Sequence, residues 1–389
     1  MTRDATRLVA LAQALNRSGS RVEDVFWENQ LGDSIPKLLK AGQDAPLEAA
    51  LDHLAQTDVG AYEVLIEQAE TLSESMKIDK NGVRYDVLLV VAPIVAWTRY
   101  AIPTGPISAS AQQALLAQLH GHVLSSKARS ALMPVLVSVD QMPRTFSETW
   151  QWLQRLGSQA LGAETTKPAL NTEVETANML ADTRYIVGAA AVPEGEPIFR
   201  WQENLGDADA SRDACLAQWA AQAQPTLAGL LPGCGFESLL PDAYYVSNRE
   251  ADRQVRPLSL RAAVSWLEGA VNLEASQLRA VVAGCGEGRV DEYRIGFTAR
   301  SSNDVYYGCV WPLYGREEDL ISDEGQPDVV DEIAALLKEY GVSDVRRIPG
   351  VLPPEYCEDC GAPYFPNPLG ELVHAELPED AEAAPAHFH

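Results

Sequence analysis

A pattern of residues that recurs three times after residue 83 limits the folds open to this chain. Each copy begins with an apolar stretch containing a tyrosine and continues with a second stretch containing a tryptophan. A helical pattern follows, and a proline then opens a last apolar stretch. The recurring residues are Tyr85, Tyr185 and Tyr293, then Trp97, Trp201 and Trp311, and then Pro134, Pro241 and Pro353. Residues that recur in the same order indicate an internal repeat. In a repeat protein, each unit needs its neighbours to bury its apolar face.

The repeat predicts an α+β fold in which three related β-β-α-β units follow a helical N-terminal domain. The units span 83–162, 177–275 and 289–366, and the first two carry a further helix. Residues 1–80 have apolar side chains at helical spacing and form the N-terminal domain. The units could pack with pseudo-symmetry; the alternative is that two share an origin and the third resembles them by chance. Residues 375–389 are acidic and rich in alanine and proline, which predicts a disordered tail.

Charge and composition limit the partners and the location that we expect. The chain has 389 residues and a formal net charge of −25, a field that repels nucleic acid and anionic membrane surfaces. Its longest strongly apolar stretch, residues 87–97, is far shorter than the roughly 20 residues of a membrane helix. Six cysteines in a chain of this length are not a disulfide framework, so we expect a soluble cytoplasmic protein. Its partner, a protein or a small molecule, is not identified by the sequence.

The strongest local signal for chemistry is the segment CEDCG, in which Cys357 and Cys360 precede a glycine. Two thiolates at this spacing before a tight turn can hold one side of a tetrahedral zinc ion. His374 follows Cys360 after thirteen intervening residues and is the predicted third ligand. A fourth ligand would come from elsewhere, with Cys309 or an acidic residue as candidates. We therefore predict a zinc site of Cys357, Cys360 and His374, with a structural role, because thiolates in a short loop suit a closed site.

Two other interpretations of the cysteine pair stay open at this stage. A redox pair needs a helix N-terminus that lowers the pKa of the attacking thiol, whereas the segment after Cys360 contains three prolines and cannot open a helix. Glu358 and Asp359 between the cysteines favour a bound cation over a free thiolate. The remaining alternative is a pair of thiols without chemistry, at a turn of the third unit.

A second class of function is an enzyme of hydrolase or transferase type, with its site in a cleft between repeat units. Cys234 and Cys285 each lie between two glycines, where free backbone amides could stabilise an oxyanion. His120 and His122 are the only internal pair of histidines that could supply a base. The simpler interpretation is that the glycines turn the chain around small buried thiols. We favour a non-enzymatic binding or interaction protein.

The recurring tryptophans also allow two interpretations. If the three units are pseudo-symmetric, tryptophans at equivalent places could line a cavity between them. Large aromatic residues are more simply explained as the core around which each unit packs its helix.

Three segments carry a resemblance to a known family: RYDVLLVVAPIVAWTRY, LMPVLVS and the C-terminal CEDCGAPYFPNPLGELVHAELPE. In this order they are similar to a family of uncharacterised bacterial proteins of about this length, a domain of unknown function. The resemblance covers most of the chain and is most specific in the C-terminal segment. It implies a bacterial cytoplasmic setting, and it implies no activity, cofactor or catalytic residue.

Overall fold

The chain is a mixed α/β protein that begins with helices and continues with sheets. The computed structural model describes residues 1–163, 180–314, 328–378 and 381. Four helices come first: α1 (Arg3–Asn16), α2 (Arg21–Ala41), α3 (Ala45–Thr57) and α4 (Val59–Glu74). Their apolar faces bury one cluster, in which Leu31 and Leu65 are completely inaccessible. A helical beginning is as predicted, because apolar residues about 3.6 positions apart are a local signal.

The end of the predicted helical domain forms a strand instead. β1 (Ser75–Lys80) pairs antiparallel with β2 (Val83–Trp97). The turn between them consists of Asn81 and Gly82, whose φ angles are 53° and 77°. Asn-Gly is the preferred pair for a two-residue hairpin turn, which needs both residues in the left-handed region. Along β1, half-buried and exposed residues alternate in the sequence SMKIDK, a period of two that the helical interpretation overlooked.

The larger sheet is built around β2. On one side its neighbours follow in the order β5 (Ala181–Pro193), β4 (Arg129–Ser138) and β3 (Gly105–Pro106). Its other edge is shared by three strands that follow one another along it: β1, β7 (Asp242–Ala243) and β6 (Gly235–Ser238). All these pairs are antiparallel. With partners on both edges, β2 lies at the centre of the sheet, and residues 89–96 are all buried.

Helices cover both faces of the larger sheet. One face packs against α5 (Ala109–His122) and α8 (Arg212–Leu230). The other packs against α6 (Phe146–Ala160) and the first half of α9 (Tyr244–Ala270). Neighbouring residues of β2 enter opposite clusters, as Ile94 and Val95 do. A strand that is buried on both faces has a continuous apolar sequence, which explains VLLVVAPIVAW.

A second sheet carries the C-terminal part of the chain. Its order is β10 (Tyr307–Pro312), β9 (Glu292–Ala299), β8 (Leu278–Cys285) and β11 (Asp344–Leu352). β8 and β11 are parallel, and the other pairs are antiparallel. The second half of α9 and α10 (Val329–Glu339) pack on one face of this sheet. α9 therefore contributes to the cores of both sheets and joins them.

The opposite face of the second sheet holds the C-terminal segment. There β12 (Phe365–Pro366) and β13 (Leu372–Val373) pair antiparallel, and the fully buried ring of Phe365 lies against Gly308 of β10. A Cβ atom at position 308 would lie 2.3 Å from that ring, so the close approach requires a glycine.

The predicted β-β-α-β order is present in the third unit, where β9, β10, α10 and β11 follow one another. In the other two, the predicted strands differ from those observed. In the second unit the tryptophan stretch forms the short helix α7 (Arg200–Glu203), and after Pro241 the chain forms only the two-residue strand β7 before α9 begins. The relation of the three units to one another stays a prediction.

In the first unit the two predicted strands are one continuous strand, β2, which passes through Pro93. The carbonyl of Pro93 accepts a hydrogen bond from the N–H of Leu239 (3.0 Å), on the edge where β7 ends and β6 begins. In an antiparallel sheet, the N–H and C=O groups of one residue point to the same edge of the strand. The N–H that Pro93 lacks would therefore have pointed into this gap, and its absence interrupts no long ladder of hydrogen bonds.

The recurring aromatic residues are core residues. Tyr85, Tyr185, Tyr293 and Trp311 are buried, and Trp97 and Trp201 are half-buried against hydrophobic clusters. An arginine guanidinium lies over each tryptophan, at 5.6 Å for Trp97, 4.7 Å for Trp201 and 5.0 Å for Trp311. The packing supports the simpler of the two interpretations of the tryptophans.

Part of the predicted disordered tail is packed. Ala375 is buried, and the N–H of Glu376 donates to the carbonyl of Val305 (2.8 Å). Residues 379–380 and 382–389 of that tail lie outside the described residues. Within the described part of the chain, no helix has both the length and the apolar character needed to cross a membrane.

Candidate metal centre

The two cysteines lie in the loop of a short hairpin that follows β11. At its base the N–H of Tyr364 donates to the carbonyl of Glu355 (3.0 Å), and nearer the tip the N–H of Cys357 donates to the carbonyl of Ala362 (2.8 Å). Within the loop, the N–H of Gly361 donates back to the carbonyl of Cys357 (2.9 Å). These backbone bonds fix both cysteines on one tight turn.

A second hairpin, formed by β12 and β13, returns the chain to the cysteines. Its turn is held by Asn367, whose side-chain oxygen accepts hydrogen bonds from the N–H groups of Leu369 (2.9 Å) and Glu371 (3.0 Å). His374 follows β13 directly and so comes alongside the cysteine turn. The letters NPLG are a turn signal in the sequence, and they could have predicted that the segment between Cys360 and His374 folds back.

Three side-chain ligand atoms converge where the two hairpins meet. Sγ of Cys360 lies 3.2 Å from Nε2 of His374, and the ligand atoms of Cys357, Cys360 and His374 all lie within 4.8 Å of one another. Such separations suit ligands of one ion, because atoms bound to a tetrahedral zinc lie about 3.5 Å apart. Cys360 is exposed, whereas Cys357 and His374 are half-buried. The structure thus brings together the three residues that the sequence singled out, and zinc binding by them stays a prediction.

Backbone amides favour the ionised form of one of the thiols. The amides of Cys360 and Asp359 donate to the sulfur of Cys357 and lower the pKa of its thiol, and the side chains of Cys360 and Tyr364 act in the same direction. Charge alone predicts the opposite effect, because Glu358 and Asp359 disfavour a thiolate. Amides in direct contact act more strongly than exposed carboxylates, whose field the solvent screens. Because cysteine binds metals as a thiolate, this environment suits a ligand.

His374 has a carboxylate beside its second ring nitrogen. Nδ1 lies 3.6 Å from Oε1 of Glu376, while Nε2 faces Cys360. Histidines that bind a metal through one nitrogen commonly have a carboxylate or carbonyl near the other, which fixes the tautomer and the ring orientation. At 3.6 Å this contact is an ion-pair distance and not a hydrogen bond, and a proton on Nδ1 would leave Nε2 with a free electron pair that points toward the thiols. The donor set and its surroundings therefore fit a zinc ion.

A buried arginine that the sequence analysis did not single out anchors the first hairpin. Arg294 of β9 is fully buried, and its guanidinium donates to the carbonyls of Glu355 (2.5 Å) and Tyr364 (2.9 Å) and to the carboxylate of Glu292 (2.7 Å). It also lies over the ring of Tyr356, 4.8 Å from the centroid. Its signal in the sequence is weak: one arginine within the apolar stretch EYRIGF.

The prediction that Cys309 could be the fourth ligand is wrong. Its thiol lies in the core beneath α9, on the opposite face of the second sheet from the hairpins, and its Sγ donates to the carbonyl of Ser259 (3.7 Å). Burial raises its pKa to about 12. Among the described residues, the group that could hold an ion has three members, and none of them is acidic.

The residues of the enzyme hypothesis have other partners. His120 and His122 contact Ser130 (2.9 Å) and Gln218 (3.1 Å). Cys285 ends strand β8 in the core, where burial raises its pKa to about 11. Burial also raises the pKa of Cys234, so neither thiol is prepared for nucleophilic attack. The structure brings neither cysteine into a hydrogen bond with these histidines, and the enzyme stays a hypothesis.

Fold and site together define a class: a mixed α/β protein with two main sheets and a Cys2His group in a C-terminal pair of hairpins. The chain belongs to the family described as "Protein of unknown function (DUF2863)", whose model matches residues 1–388. The resemblance to a family of unknown function is thereby confirmed over nearly the whole chain. No curated protein and no solved structure shows significant similarity to it.

Proposed function

We propose that this protein is a non-enzymatic binding or interaction protein whose C-terminal hairpins are held together by a structural zinc ion. Its ligands would be Cys357, Cys360 and His374. The observation that carries the proposal is the convergence of their ligand atoms, within 4.8 Å of one another, from two separate hairpins. Thiolate and imidazole are the donors that zinc prefers in structural sites.

Such an ion would cross-link the tip of the first hairpin to the end of the second. The first hairpin is anchored at its base by Arg294 and the second by the buried ring of Phe365, whereas Cys360 and its neighbours Glu358 and Asp359 are exposed. An ion bound by both hairpins would fix the cysteine turn relative to the end of β13. Its binding free energy would then stabilise the folded C-terminal segment.

The binding partner that we propose is a protein or a neutral or cationic small molecule, met in the cytoplasm. A net charge of −25 disfavours nucleic acid and anionic membrane surfaces by long-range repulsion. A reducing compartment keeps the thiols available as metal ligands, because they are not consumed in disulfides.

Elemental analysis of protein purified without chelators tests the zinc site, and about one zinc ion per chain is expected. Cys357→Ser and His374→Ala should each release the zinc and make the C-terminal hairpins sensitive to proteases. Removing the ion from the wild type should lower the free energy of unfolding by about 3 kcal/mol, the effect of a ligand at a hundred times its Kd.

Cys234→Ser is the matched control, because it removes another half-buried thiol and should leave zinc content and protease resistance unchanged. The proposal would be contradicted if the native protein contained no metal and if the Cys357→Ser and His374→Ala variants were as protease-resistant as the wild type.

A further inference from the structure

We infer that the metal held by Cys357, Cys360 and His374 takes its fourth ligand from outside the described chain, and that this ligand is an exchangeable neutral donor. In the ground state it would be water, which an imidazole-type nitrogen could replace. The inference rests on the proposed zinc site and adds a ligand-binding position to it.

The number of protein ligands is the first argument. Zinc in proteins is almost always four-coordinate, and sites with three protein ligands complete the tetrahedron with water or a bound molecule. In the described part of the chain, the group that could hold an ion has three members, and Cys309 lies on the other face of the second sheet. Within the described ranges, one coordination position of such an ion therefore has no protein ligand.

Access is the second argument. Cys360 is exposed, and the side chain of His374 keeps 34% of its accessible surface. The cysteines lie at the tip of the first hairpin, away from its buried anchor Arg294, and His374 lies at the open end of the second hairpin, next to the residue that pairs with Phe365. Because Cys360 is exposed, an ion held there would face solvent on one side, so a small molecule could reach it without any rearrangement of the core.

Charge is the third argument, and it selects the kind of ligand. Two thiolates balance the charge of a divalent ion, so the bound centre has no net positive charge to attract an anion. Exposed carboxylates of Glu358, Asp359 and Glu376 surround it, and the whole chain carries −25. An anionic ligand is therefore repelled, whereas a neutral oxygen or nitrogen donor is not.

Cobalt(II) substitution of the full-length protein separates this inference from the proposed function. Cobalt bound by cysteine thiolates gives an intense thiolate-to-cobalt band in the near ultraviolet, and its visible bands report the geometry and the fourth ligand. The thiolate band should appear in the wild type and be lost or strongly reduced in Cys357→Ser. Without that band in the wild type, the zinc site itself is disproved.

Titration with imidazole and with azide then tests the fourth position. Imidazole should shift the visible bands in a saturable way while the thiolate band is retained, and azide should bind at least about tenfold more weakly. A retained thiolate band with visible bands that imidazole never shifts would overturn the inference and leave the zinc site intact. Azide that binds as well as imidazole would overturn the charge argument.

A pair of charge variants tests whether the carboxylates beside the site cause the weaker binding of azide. The double variant Glu358→Gln and Asp359→Asn keeps all three ligands and should strengthen azide binding relative to imidazole. The double variant Asp331→Asn and Glu332→Gln removes two exposed charges from α10 and should leave that ratio unchanged. Equal effects of both double variants would show that general charge, rather than the carboxylates at the site, sets the preference, and would contradict that part of the inference.

Discussion

One residue, Arg294, determines how firmly the cysteine hairpin is attached to the second sheet. Its buried guanidinium donates to main-chain carbonyls on both strands of the hairpin and to the carboxylate of Glu292. Without it, two carbonyl groups and one carboxylate would lose a hydrogen-bond donor at a partly buried site. Breaking a buried ion pair in this way typically costs about 3–5 kcal/mol.

The replacement Arg294→Met is expected to lower the free energy of unfolding by about 3 kcal/mol. It should also weaken zinc binding by about 10–100-fold, although all three ligands are kept, because the support of a metal site affects its affinity on this scale. Denaturant unfolding and competition with a chromophoric chelator measure the two effects.

Arg289→Met is the matched control for this replacement. Arg289 lies in the turn between β8 and β9, where its side chain is 75% exposed and pairs with the exposed carboxylate of Asp291 (3.1 Å). Its loss should change the free energy of unfolding by less than about 0.5 kcal/mol. If both variants kept the stability and the zinc affinity of the wild type, Arg294 would not be the anchor.

Among the elements, β12 owes its position to the close contact between Phe365 and Gly308 of β10. Among the elements that the structure describes, no helix covers this face of the second sheet at that point, and the small cluster there contains Val305, Phe365 and Ala375. Because β12 is followed by the turn that leads to His374, this contact also sets the position of the third residue of the candidate metal centre.

We expect Gly308→Ala to lower the free energy of unfolding by about 2 kcal/mol, because the added methyl group would overlap the Phe365 ring at 2.3 Å. The C-terminal hairpins should become more sensitive to proteases at the same time. Gly32→Ala serves as the comparison: it lies within α2 with nothing within 4 Å of the added atom, and it should stabilise the protein by up to about 1 kcal/mol. Destabilisation of equal size at both positions would argue against a specific contact at Gly308.

The whole molecule is connected through α9. Its two halves enter the cores of the two sheets, and its first turns meet α4 of the N-terminal helices. There the carboxylate of Glu74 accepts the N–H of Tyr245 (2.9 Å), the hydroxyl groups of Tyr245 and Ser73 are 3.1 Å apart, and Arg249 pairs with Glu70 (2.8 Å). The N-terminal helices are thus attached to the rest of the protein partly by polar contacts.

One of these contacts makes the stability depend on pH. Burial raises the pKa of the Glu74 carboxyl from its ordinary 4.5 to about 7, and the nearby Glu70 carboxylate raises it further, against the lowering effects of the Tyr245 amide and Arg249. The folded state therefore holds this proton more tightly than the unfolded state does. The resulting stabilisation is fully present below about pH 4.5 and is lost as the pH rises to about 7.

Glu74→Gln keeps an acceptor for the Tyr245 N–H and removes the titration. Its free energy of unfolding, relative to the wild type, should rise between pH 4.5 and pH 7.5 by on the order of 2 kcal/mol. Denaturant unfolding over this pH range measures the difference. Glu67→Gln, at an exposed position of the same helix, is the control. A difference between Glu74→Gln and wild type that does not change with pH would disprove the assignment.

Local sequence patterns predicted much of the fold, and they failed where contacts between residues distant in sequence determine the structure. The N-terminal helices and α5, α8 and α10 follow from apolar spacing, which is a property of neighbouring residues. The prediction of two successive strands in the first unit is wrong because proline ends a strand only where its missing N–H would face a partner, and at Pro93 it faces a gap between β7 and β6. Most of the stretch predicted as a strand after Pro241 likewise forms the start of α9, where it packs against the larger sheet; only Asp242 and Ala243 form a strand.

By itself, the sequence determined the helical beginning, the apolar strands, the acidic charge and the three residues of the candidate metal centre. Ligand spacing is local, so Cys357, Cys360 and His374 could be found without coordinates. Only the tertiary structure decided that Arg294 and Gly308 support those residues, that Cys309 is separated from them by the second sheet, and that backbone amides favour the Cys357 thiolate. These properties depend on groups that are distant in sequence or on the direction of individual N–H bonds, which a linear pattern does not contain.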